Sequence, residues 1–310
     1  MRLVFMGTPE SAVPSLRRLL TDGHEVVAVW TQPDRPAGRG NKLHQSPVKK
    51  FALAQGLIIH QPTKIKTQEA KELFASHRAD AAVVVAYGRI LPPEFLDARR
   101  HGCINVHFSL LPKYRGAAPV NWAIVNGEKE TGVTTLRLVS ELDAGPIFLQ
   151  SATQIGPGET APELMQRLAE TGAELLSETL KSIEHIELRP QASKGATFAP
   201  ILKRESGRID WTVDAAAIER RVRGFQPWPN AHTTLHSRRL IIRQASAESL
   251  SQPPVQPGRI IEAHGDRLLI TCGNETALRI LELQPEDSRR MSARDFLNGT
   301  HIKIGDSLGG

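Results

Sequence analysis

The sequence contains little cysteine, and this scarcity limits the classes to which it can belong. Only Cys103 and Cys272 occur in 310 residues, and neither forms part of a C-x-x-C pair. A disulfide framework and a zinc site are therefore not expected, and the reducing cytoplasm is the predicted location. No apolar run approaches the length of about 20 residues that a membrane span needs. The first apolar run stops at Gly7, which favours a β-strand over a secretory signal.

Glycine is scarce where a dinucleotide-binding fold would need it. After the first predicted strand the chain reads Gly7-Thr8-Pro9-Glu10-Ser11-Ala12. A dinucleotide fingerprint uses three glycines so that the pyrophosphate can approach a helix N-terminus. A single glycine, followed by Glu10 that would repel a phosphate, excludes an NAD or FAD site. The sequence also has no P-loop, so no nucleotide cofactor is expected.

The composition is typical of a soluble globular protein. Hydrophobic residues make up 40% and charged residues 23%, and the length suits two domains. The net charge of +6 favours an anionic partner. Residues 31–50, rich in proline and glycine, hold five basic residues against one acid: Arg35, Arg39, Lys42, Lys49 and Lys50. This stretch is compatible with a solvated surface loop and equally with a mobile loop that contacts a phosphate backbone.

Hydrophobic patterning predicts two domains of different class. Apolar runs at 2–6, 25–31, 57–60, 81–86 and 103–107 alternate with amphipathic segments at 13–20, 47–55, 67–76 and 118–126. They predict an α/β, Rossmann-like domain over 1–188 with a mostly parallel sheet, including a strand pair (133–139 and 146–152) and a helix from Thr160. A polar linker is expected at 189–207. Short β-like runs at 240–243, 259–263, 267–272 and 277–283 predict a small OB-like β-barrel over 208–310.

One strand end carries candidate catalytic side chains. Asn105 and His107 alternate on the predicted strand and so share a face, at the carboxyl end where open α/β sheets bind ligands. Acyl transfer to an amine needs a donor for the developing oxyanion and a base for the amine protons. Asn105 and His107 can supply the donors and Asp143 the base, or Asp143 can orient a protonated His107. Alternatively, the strand-end pair satisfies backbone groups and Asp143 is a turn residue.

The same residues carry a family resemblance. The N-x-H of Asn105 and His107, the S-L-L-P of 109–112 and the later Asp143 resemble the signature of the folate-dependent formyltransferases. Further segments, over essentially the whole chain, are similar to the methionyl-tRNA formyltransferases within that family: 5–10, 32–40, 84–88, 115–119, 208–211 and 227–229.

The resemblance implies formyl transfer from 10-formyltetrahydrofolate to the α-amino group of aminoacylated initiator tRNA. It implies that Asn105, His107 and Asp143 are catalytic and that the basic loop enters the tRNA acceptor stem. The implied folate contacts are Val85, Ala86, Tyr87, Gly88, Arg89, Ser109, Leu110, Leu111 and Pro112. The C-terminal module would contact tRNA through Arg220, Arg221, Arg223, Arg238 and Arg239. No metal is expected, because the folate already activates the formyl group. A monomer without a membrane partner is expected.

Two other functions are compatible with parts of the sequence. Glycinamide ribonucleotide formyltransferases share only the motifs of the first domain and lack the basic loop and the β-rich extension. An RNA-binding protein with an inactive enzyme domain would use the loop and the barrel alone. The presence of all three of Asn105, His107 and Asp143 favours an active enzyme, because no binding role requires the full set.

Overall fold

The chain forms two compact units. The computed structural model describes residues 1–37, 42–96, 100–250 and 256–309. Unit 1 comprises Met1–Pro119, Glu130–Gln154 and Met165–Ala199, and unit 2 comprises Val120–Lys129, Ile155–Leu164 and Pro200–Gly310. Unit 2 therefore includes two short segments from the predicted first domain. Among the described residues, every helix is too short or too polar to cross a membrane.

Unit 1 is built on strands and helices that alternate along the chain. Its strands are β1 (Arg2–Gly7), β2 (Glu25–Trp30), β3 (Arg35–Ala37), β4 (Lys42–His44), β5 (Ile59–His60), β6 (Ala81–Val85), β7 (Cys103–His107), β8 (Arg115–Gly116), β9 (Glu130–Arg137), β10 (Ile147–Gln154) and β11 (Phe198–Ala199). The helices between residues 1 and 199 are α1 (Val13–Thr21), α2 (Pro47–Ala54), α3 (Gln68–Ser76), α4 (Pro93–Leu96), α5 (Pro119–Val125) and α6 (Ala161–Ser182). Nearly all of α5 and the first turn of α6 belong to unit 2. All five predicted strands are present, although the run at 57–60 is a strand only in its last two residues.

The main sheet of unit 1 has seven strands in the order β10-β9-β7-β6-β1-β2-β5. The five strands from β7 to β5 are parallel, whereas β9 is antiparallel to both of its neighbours. Strands β6 and β7 are buried along their whole length, as expected for a parallel sheet with both faces covered. The strand order reverses between β1 and β6, and ligands of open α/β sheets bind at such a reversal. The Rossmann-like prediction is confirmed.

The basic segment 31–50 is more ordered than a structureless loop. Strands β3 and β4 pair in antiparallel fashion, with Arg35 opposite His44. Helix α2 follows, and Ser46 caps it by accepting a hydrogen bond from the Lys49 backbone N–H at 3.0 Å. The expectation of an irregular loop was wrong for this part, because local pairing satisfies backbone groups that a free loop leaves to water. Residues 38–41 lie outside the described residues.

The predicted linker 189–207 is partly fixed against unit 1. Arg189 pairs with Ile147 at the start of β10, and their backbone groups exchange hydrogen bonds of 2.8 and 3.0 Å. Further along, β11 pairs in parallel with β8. The segment therefore runs beside the β9–β10 connection before the chain enters Pro200–Gly310.

Unit 2 contains an antiparallel sheet. Its strands are β12 (His232–Leu235), β13 (Arg238–Ser249), β14 (Ile260–His264), β15 (Arg267–Thr271), β16 (Thr276–Pro285) and β17 (Met291–Ser292), and its further helices are α7 (Ala215–Gly224) and α8 (Ala293–Gly299). The order is β12-β13-β16-β15-β14, with β17 paired to β16. Helix α7 was not predicted, because its buried positions Ile218 and Val222 lie among arginines in a short segment.

The last described residues connect the two outer strands of this sheet. Leu308 pairs with Leu235 of β12, and Ser307 pairs with Arg259 next to β14. The Leu308 N–H donates to the Gly258 carbonyl at 2.8 Å. This short segment therefore bridges β12 and the residue before β14, and unit 2 is a mainly antiparallel sheet.

Candidate active site

The three predicted catalytic residues lie in unit 1 and are all buried. Asn105 and His107 are on β7, and Asp143 is in the connection between β9 and β10. Their exposed fractions are 9%, 6% and 8%. The end of β9 lies beside the beginning of β7, with Arg137 opposite Ile104, and the connection that follows folds back so that Asp143 Oδ2 lies 3.8 Å from His107 Nδ1.

The hydrogen bonds of His107 assign its two ring nitrogens. His107 Nε2 lies 2.9 Å from the Tyr114 carbonyl oxygen. A carbonyl only accepts, so Nε2 carries the hydrogen and Nδ1 faces the Asp143 carboxylate. The 3.8 Å separation is longer than a hydrogen bond, and without a proton it joins two acceptors. A proton delivered to Nδ1 would turn this contact into one between a cation and a carboxylate, so the pair can take up a proton from a bound substrate.

The Asp143 carboxylate is held by a backbone donor that the sequence did not reveal. The Gly116 N–H donates to Asp143 Oδ2 at 2.8 Å. Gly116 has a φ of +121°, and a Cβ there would lie 2.7 Å from the Ala199 carbonyl oxygen. Only glycine fits this position, because of its φ and its close approach to Ala199, and this explains the glycine in R-G-A-A-P. Its position in that motif was the one available signal.

Asn105 differs from His107 in its hydrogen bonding. The described residues contribute no hydrogen bond to its amide, although only 9% of the residue is exposed. A buried amide without an internal partner is available to donate to a ligand. Asn105 thus has amide N–H groups available for a ligand, whereas the Nε2–H of His107 is already bonded to the Tyr114 carbonyl.

The S-L-L-P loop is fixed by side chains from β9 and β10. Thr134 donates to the Ser109 carbonyl at 2.7 Å and accepts from the Leu111 N–H at 3.2 Å. Gln150 Nε2 donates to the Leu111 carbonyl at 2.9 Å. These two residues were missed by sequence reasoning, because a threonine and a glutamine on a strand carry no positional signal.

The predicted folate-contact segment 85–89 lies at the reversal of strand order. The Tyr87 carbonyl accepts from Thr8 Oγ1 at 3.2 Å and from Gln32 Nε2 at 3.0 Å. Arg89 Nε donates to Gln32 Oε1 at 3.0 Å. Thr8 follows β1, so these contacts tie together the carboxyl ends of the two strands between which the order reverses.

The same segment turns its backbone outward on both sides of Tyr87. Ala86 and Gly88 are exposed and have φ values of +47° and +80°. Tyr87 is 2% exposed, and burial raises the pKa of its hydroxyl to about 12 although the Arg89 guanidinium opposes the rise. Tyr87 anchors the segment in the core, and the exposed backbone groups beside it can bond to a ligand.

The predicted tRNA contacts on the basic segment differ in their surroundings. Lys49 Nζ lies 2.7 Å from Asp34 Oδ2, and its side chain is only 17% exposed. Hydrogen bonds from Gln61 and then from Lys49 hold the pKa of the Asp34 carboxyl below its ordinary value. Lys49 thus has an internal partner. Arg35 and Lys50 are exposed, Lys42 lies in β4, and Arg39 lies outside the described residues.

Four of the five predicted tRNA contacts in unit 2 donate hydrogen bonds within that unit. Arg220 Nε donates to the Val125 carbonyl at 3.4 Å, and Arg238 Nη2 donates to the Glu286 carbonyl at 3.5 Å. Arg221 Nη2 donates to the Ser206 carbonyl at 2.8 Å, and its guanidinium lies 5.0 Å from the Phe225 ring centre. Arg223 Nη1 donates to the Glu159 carbonyl at 2.8 Å. Arg238 is exposed, whereas Arg220 and Arg239 are half-buried. Among these arginines, Arg238 is therefore the most accessible to a phosphate, and all five assignments stay predictions.

Comparison with known proteins places the chain in a family. Residues 1–180 match the formyl transferase family, and residues 201–301 match the formyl transferase C-terminal domain. The chain is 48% identical to a methionyl-tRNA formyltransferase of Caldanaerobacter subterraneus, over 99% of this chain and 100% of the relative. It is 47% identical to a methionyl-tRNA formyltransferase of Solibacter usitatus, over 100% and 99%.

A solved structure agrees on the fold. HypX from Aquifex aeolicus matches with a TM-score of 0.63 at 18% identity, over 98% of this chain and 50% of that one. The chain thus spans about half the length of HypX. With nearly half of its residues identical to those relatives over its whole length, the chain belongs to the methionyl-tRNA formyltransferase family.

Proposed function

We propose that the protein transfers the formyl group of 10-formyltetrahydrofolate to the α-amino group of methionyl initiator tRNA, and so supports the start of protein synthesis in the cytoplasm. The observation that carries the proposal is the full-length similarity to relatives named methionyl-tRNA formyltransferase. The buried assembly of Asn105, His107 and Asp143 supports it, because the reaction needs an oxyanion donor and a proton acceptor at one place.

A folate is the proposed formyl donor. The HypX structure contains tetrahydrofolic acid, and the family is one of formyl transferases. In this chain the exposed backbone of Ala86 and Gly88 would receive the hydrogen-bonding ring of the donor. Opposite it, the S-L-L-P loop is held by Thr134 and Gln150 and would present a preformed wall. The described residues bring no three His, Cys, Asp or Glu side chains together for a metal, and chemistry without a metal stays a prediction.

In the proposed reaction Asn105 stabilises the negative charge that develops on the formyl oxygen, and His107 and Asp143 transfer a proton. The donor supplies a formyl group that is already activated towards an amine. Asn105 donates its amide N–H to the formyl oxygen as negative charge develops there. The His107–Asp143 pair accepts the proton that the amine releases, because His107 Nδ1 and Asp143 Oδ2 face each other at 3.8 Å. Such contacts commonly shorten when substrate binds. The pair then returns a proton to the folate nitrogen as its bond to the formyl carbon breaks, so that tetrahydrofolate leaves.

The acceptor tRNA is proposed to bind two basic regions. In unit 1 the paired strands β3 and β4 carry the exposed Arg35, and Lys50 follows on α2. In unit 2, residues 208–310 have fourteen basic against twelve acidic residues, so one face rather than the whole surface would contact phosphate. Removing everything after residue 207 is not a clean test. Asn121 Nδ2 donates to the Gly224 carbonyl at 2.7 Å within unit 2, and this contact would be lost.

The test is formyl transfer by the purified protein with three acceptors. We expect rapid formylation of methionyl initiator tRNA, slow formylation of methionyl elongator tRNA and none of glycinamide ribonucleotide. Turnover with glycinamide ribonucleotide alone would assign the chain to another formyl transferase reaction. Binding of tRNA without turnover of any acceptor would favour an RNA-binding protein with an inactive enzyme domain.

A further inference from the structure

A glutamine from the predicted linker connects the two segments that meet at the Asp143 carboxylate. Gln191 Nε2 donates to the backbone carbonyls of Asp143 and Gly145, at 2.7 and 2.8 Å. Gln191 Oε1 accepts from Arg115 Nε at 3.1 Å and from Arg115 Nη2 at 2.8 Å. The residue after Arg115 is Gly116, whose N–H donates to Asp143 Oδ2 at 2.8 Å. The four hydrogen bonds of the Gln191 amide thus join two segments: the backbone that carries Asp143 and the segment whose Gly116 N–H binds the Asp143 carboxylate.

The backbone at Asp143 needs such support. Asp143 has a φ of +48°, in the left-handed region that side-chain-bearing residues seldom occupy. Two residues later, a Cβ on Gly145 would lie 1.8 Å from the Arg137 carbonyl oxygen, so the chain passes very close to the end of β9. A strained turn keeps one conformation only where its surroundings specify it. Gln191 bonds to both carbonyls of this turn.

The orientation of the Gln191 amide is itself fixed. Arg115 is only 8% exposed, and its guanidinium can only donate, so it holds the amide oxygen towards itself and turns the NH₂ group towards Asp143. Arg189, two residues before Gln191, pairs with Ile147 and anchors the segment beside the turn. The glutamine is therefore held at its backbone and at its side-chain tip.

We propose that Gln191 is a positioning residue for the proposed formyl transfer: it sets the distance and direction of the Asp143 carboxylate relative to His107. It makes no contact with the reacting atoms in this role. The inference rests on the proposed function for its kinetic test only, because the geometry of the carboxylate can be measured without turnover.

The kinetic test compares Gln191→Glu and Gln191→Ala with Gln154→Ala. Glutamate is isosteric and still pairs with Arg115, but it lacks the two N–H donors to the Asp143 turn. The control residue Gln154 is exposed at the end of β10, and its side chain donates a hydrogen bond to Glu130 of β9. We expect kcat to fall about 10- to 100-fold in both Gln191 variants, with KM for formyl-folate within about twofold, because small misplacements of a catalytic group cost that much. Gln154→Ala should keep the parent rate.

A double variant separates positioning from loss of fold. If Gln191 acts through Asp143, then adding Gln191→Glu to Asp143→Asn should cost little further activity, because residues that act as a unit are not additive. A full additional 10-fold loss in the double variant overturns the proposal. So does a Gln191→Glu variant with the parent kcat.

Amide hydrogen exchange at Gly116 tests the geometry without activity. The hydrogen bond to Asp143 Oδ2 protects the Gly116 N–H from exchange. If Gln191→Ala allows the carboxylate to move, this N–H should exchange at least about tenfold faster in Gln191→Ala than in Gln154→Ala. Unchanged exchange at Gly116 overturns the proposal whatever the kinetics show. If the parent enzyme formylates no tRNA but exchange responds as expected, the proposed function fails and the positioning role stands.

Discussion

Replacing Asp143 by asparagine is the sharpest test of the proton-handling pair. The amide has the shape of the carboxylate, and its oxygen can still accept the Gly116 N–H bond of 2.8 Å, so the fold should persist. The negative charge that faces His107 Nδ1 is removed.

The size of the effect follows from the distance. Two unit charges 3.8 Å apart attract by about 4 kcal/mol at an effective dielectric constant of about 20. Both side chains are nearly buried, at 6% and 10% exposure, so bulk water screens this interaction little. If the attraction is fully developed only when His107 has taken up the proton that the amine releases, its loss slows turnover about a thousandfold. His107→Ala should fall in the same range, because the two residues act as a pair.

Single-turnover formylation of methionyl initiator tRNA, with thermal unfolding to verify the fold, is the assay. Glu141→Gln is the matched control, since it removes the same charge from the same connection. Glu141 is 75% exposed and 3.5 Å from Arg115, so an exposed pair of this kind should change the rate less than about threefold. A folded Asp143→Asn protein that works at the parent rate would show that Asp143 is only a turn residue.

Three further predictions concern tRNA and pH. Arg39→Ala should lower kcat/KM for methionyl-tRNA strongly and leave formyl-folate binding unchanged. Arg39→Lys should restore little activity, because lysine keeps the charge but lacks the planar guanidinium. Full activity in Arg39→Lys would show that the basic segment contributes only electrostatic attraction. Arg238→Ala should weaken tRNA binding and reduce the salt slope of log K by about 1, and an unchanged slope would remove this exposed arginine from the interface. Burial lowers the pKa of His24, His60 and His232 below the ordinary 6.5, so the unfolded chain takes up protons first as pH falls. The free energy of unfolding should therefore be highest above pH 6.5 and decline below it. Thermal unfolding of His60→Gln should show a smaller decline over this range, and an equal decline would show that His60 contributes nothing to it.

The sequence predicted the fold where apolar runs were long enough to show a period. Strand β7 was predicted residue for residue, since Cys103–His107 is a continuous buried run followed by a clear break. The two-residue strands β8 and β11 were not predicted, because two residues cannot display an alternation.

The candidate site was predictable only in its motif residues. His107 was identified by its strand position, but Gln191 was missed: a lone glutamine in a polar segment resembles a linker until Arg189 is seen to pair with Ile147. Lys49 shows what local charge density leaves out. Its assignment as a phosphate contact stays a prediction, and nothing in the sequence indicated that the fold brings Asp34 to its ammonium group.

The segment that pairs with both outer strands of unit 2 has a consequence for how this protein behaves at high concentration. Unpaired N–H and C=O groups on an outer strand are a template for another chain, and such strands seed aggregation. Here Ser307 and Leu308 occupy positions beside Arg259 and Leu235, so a few residues shield two potential templates at once. A second chain that paired with either outer strand at these positions would first have to displace this segment.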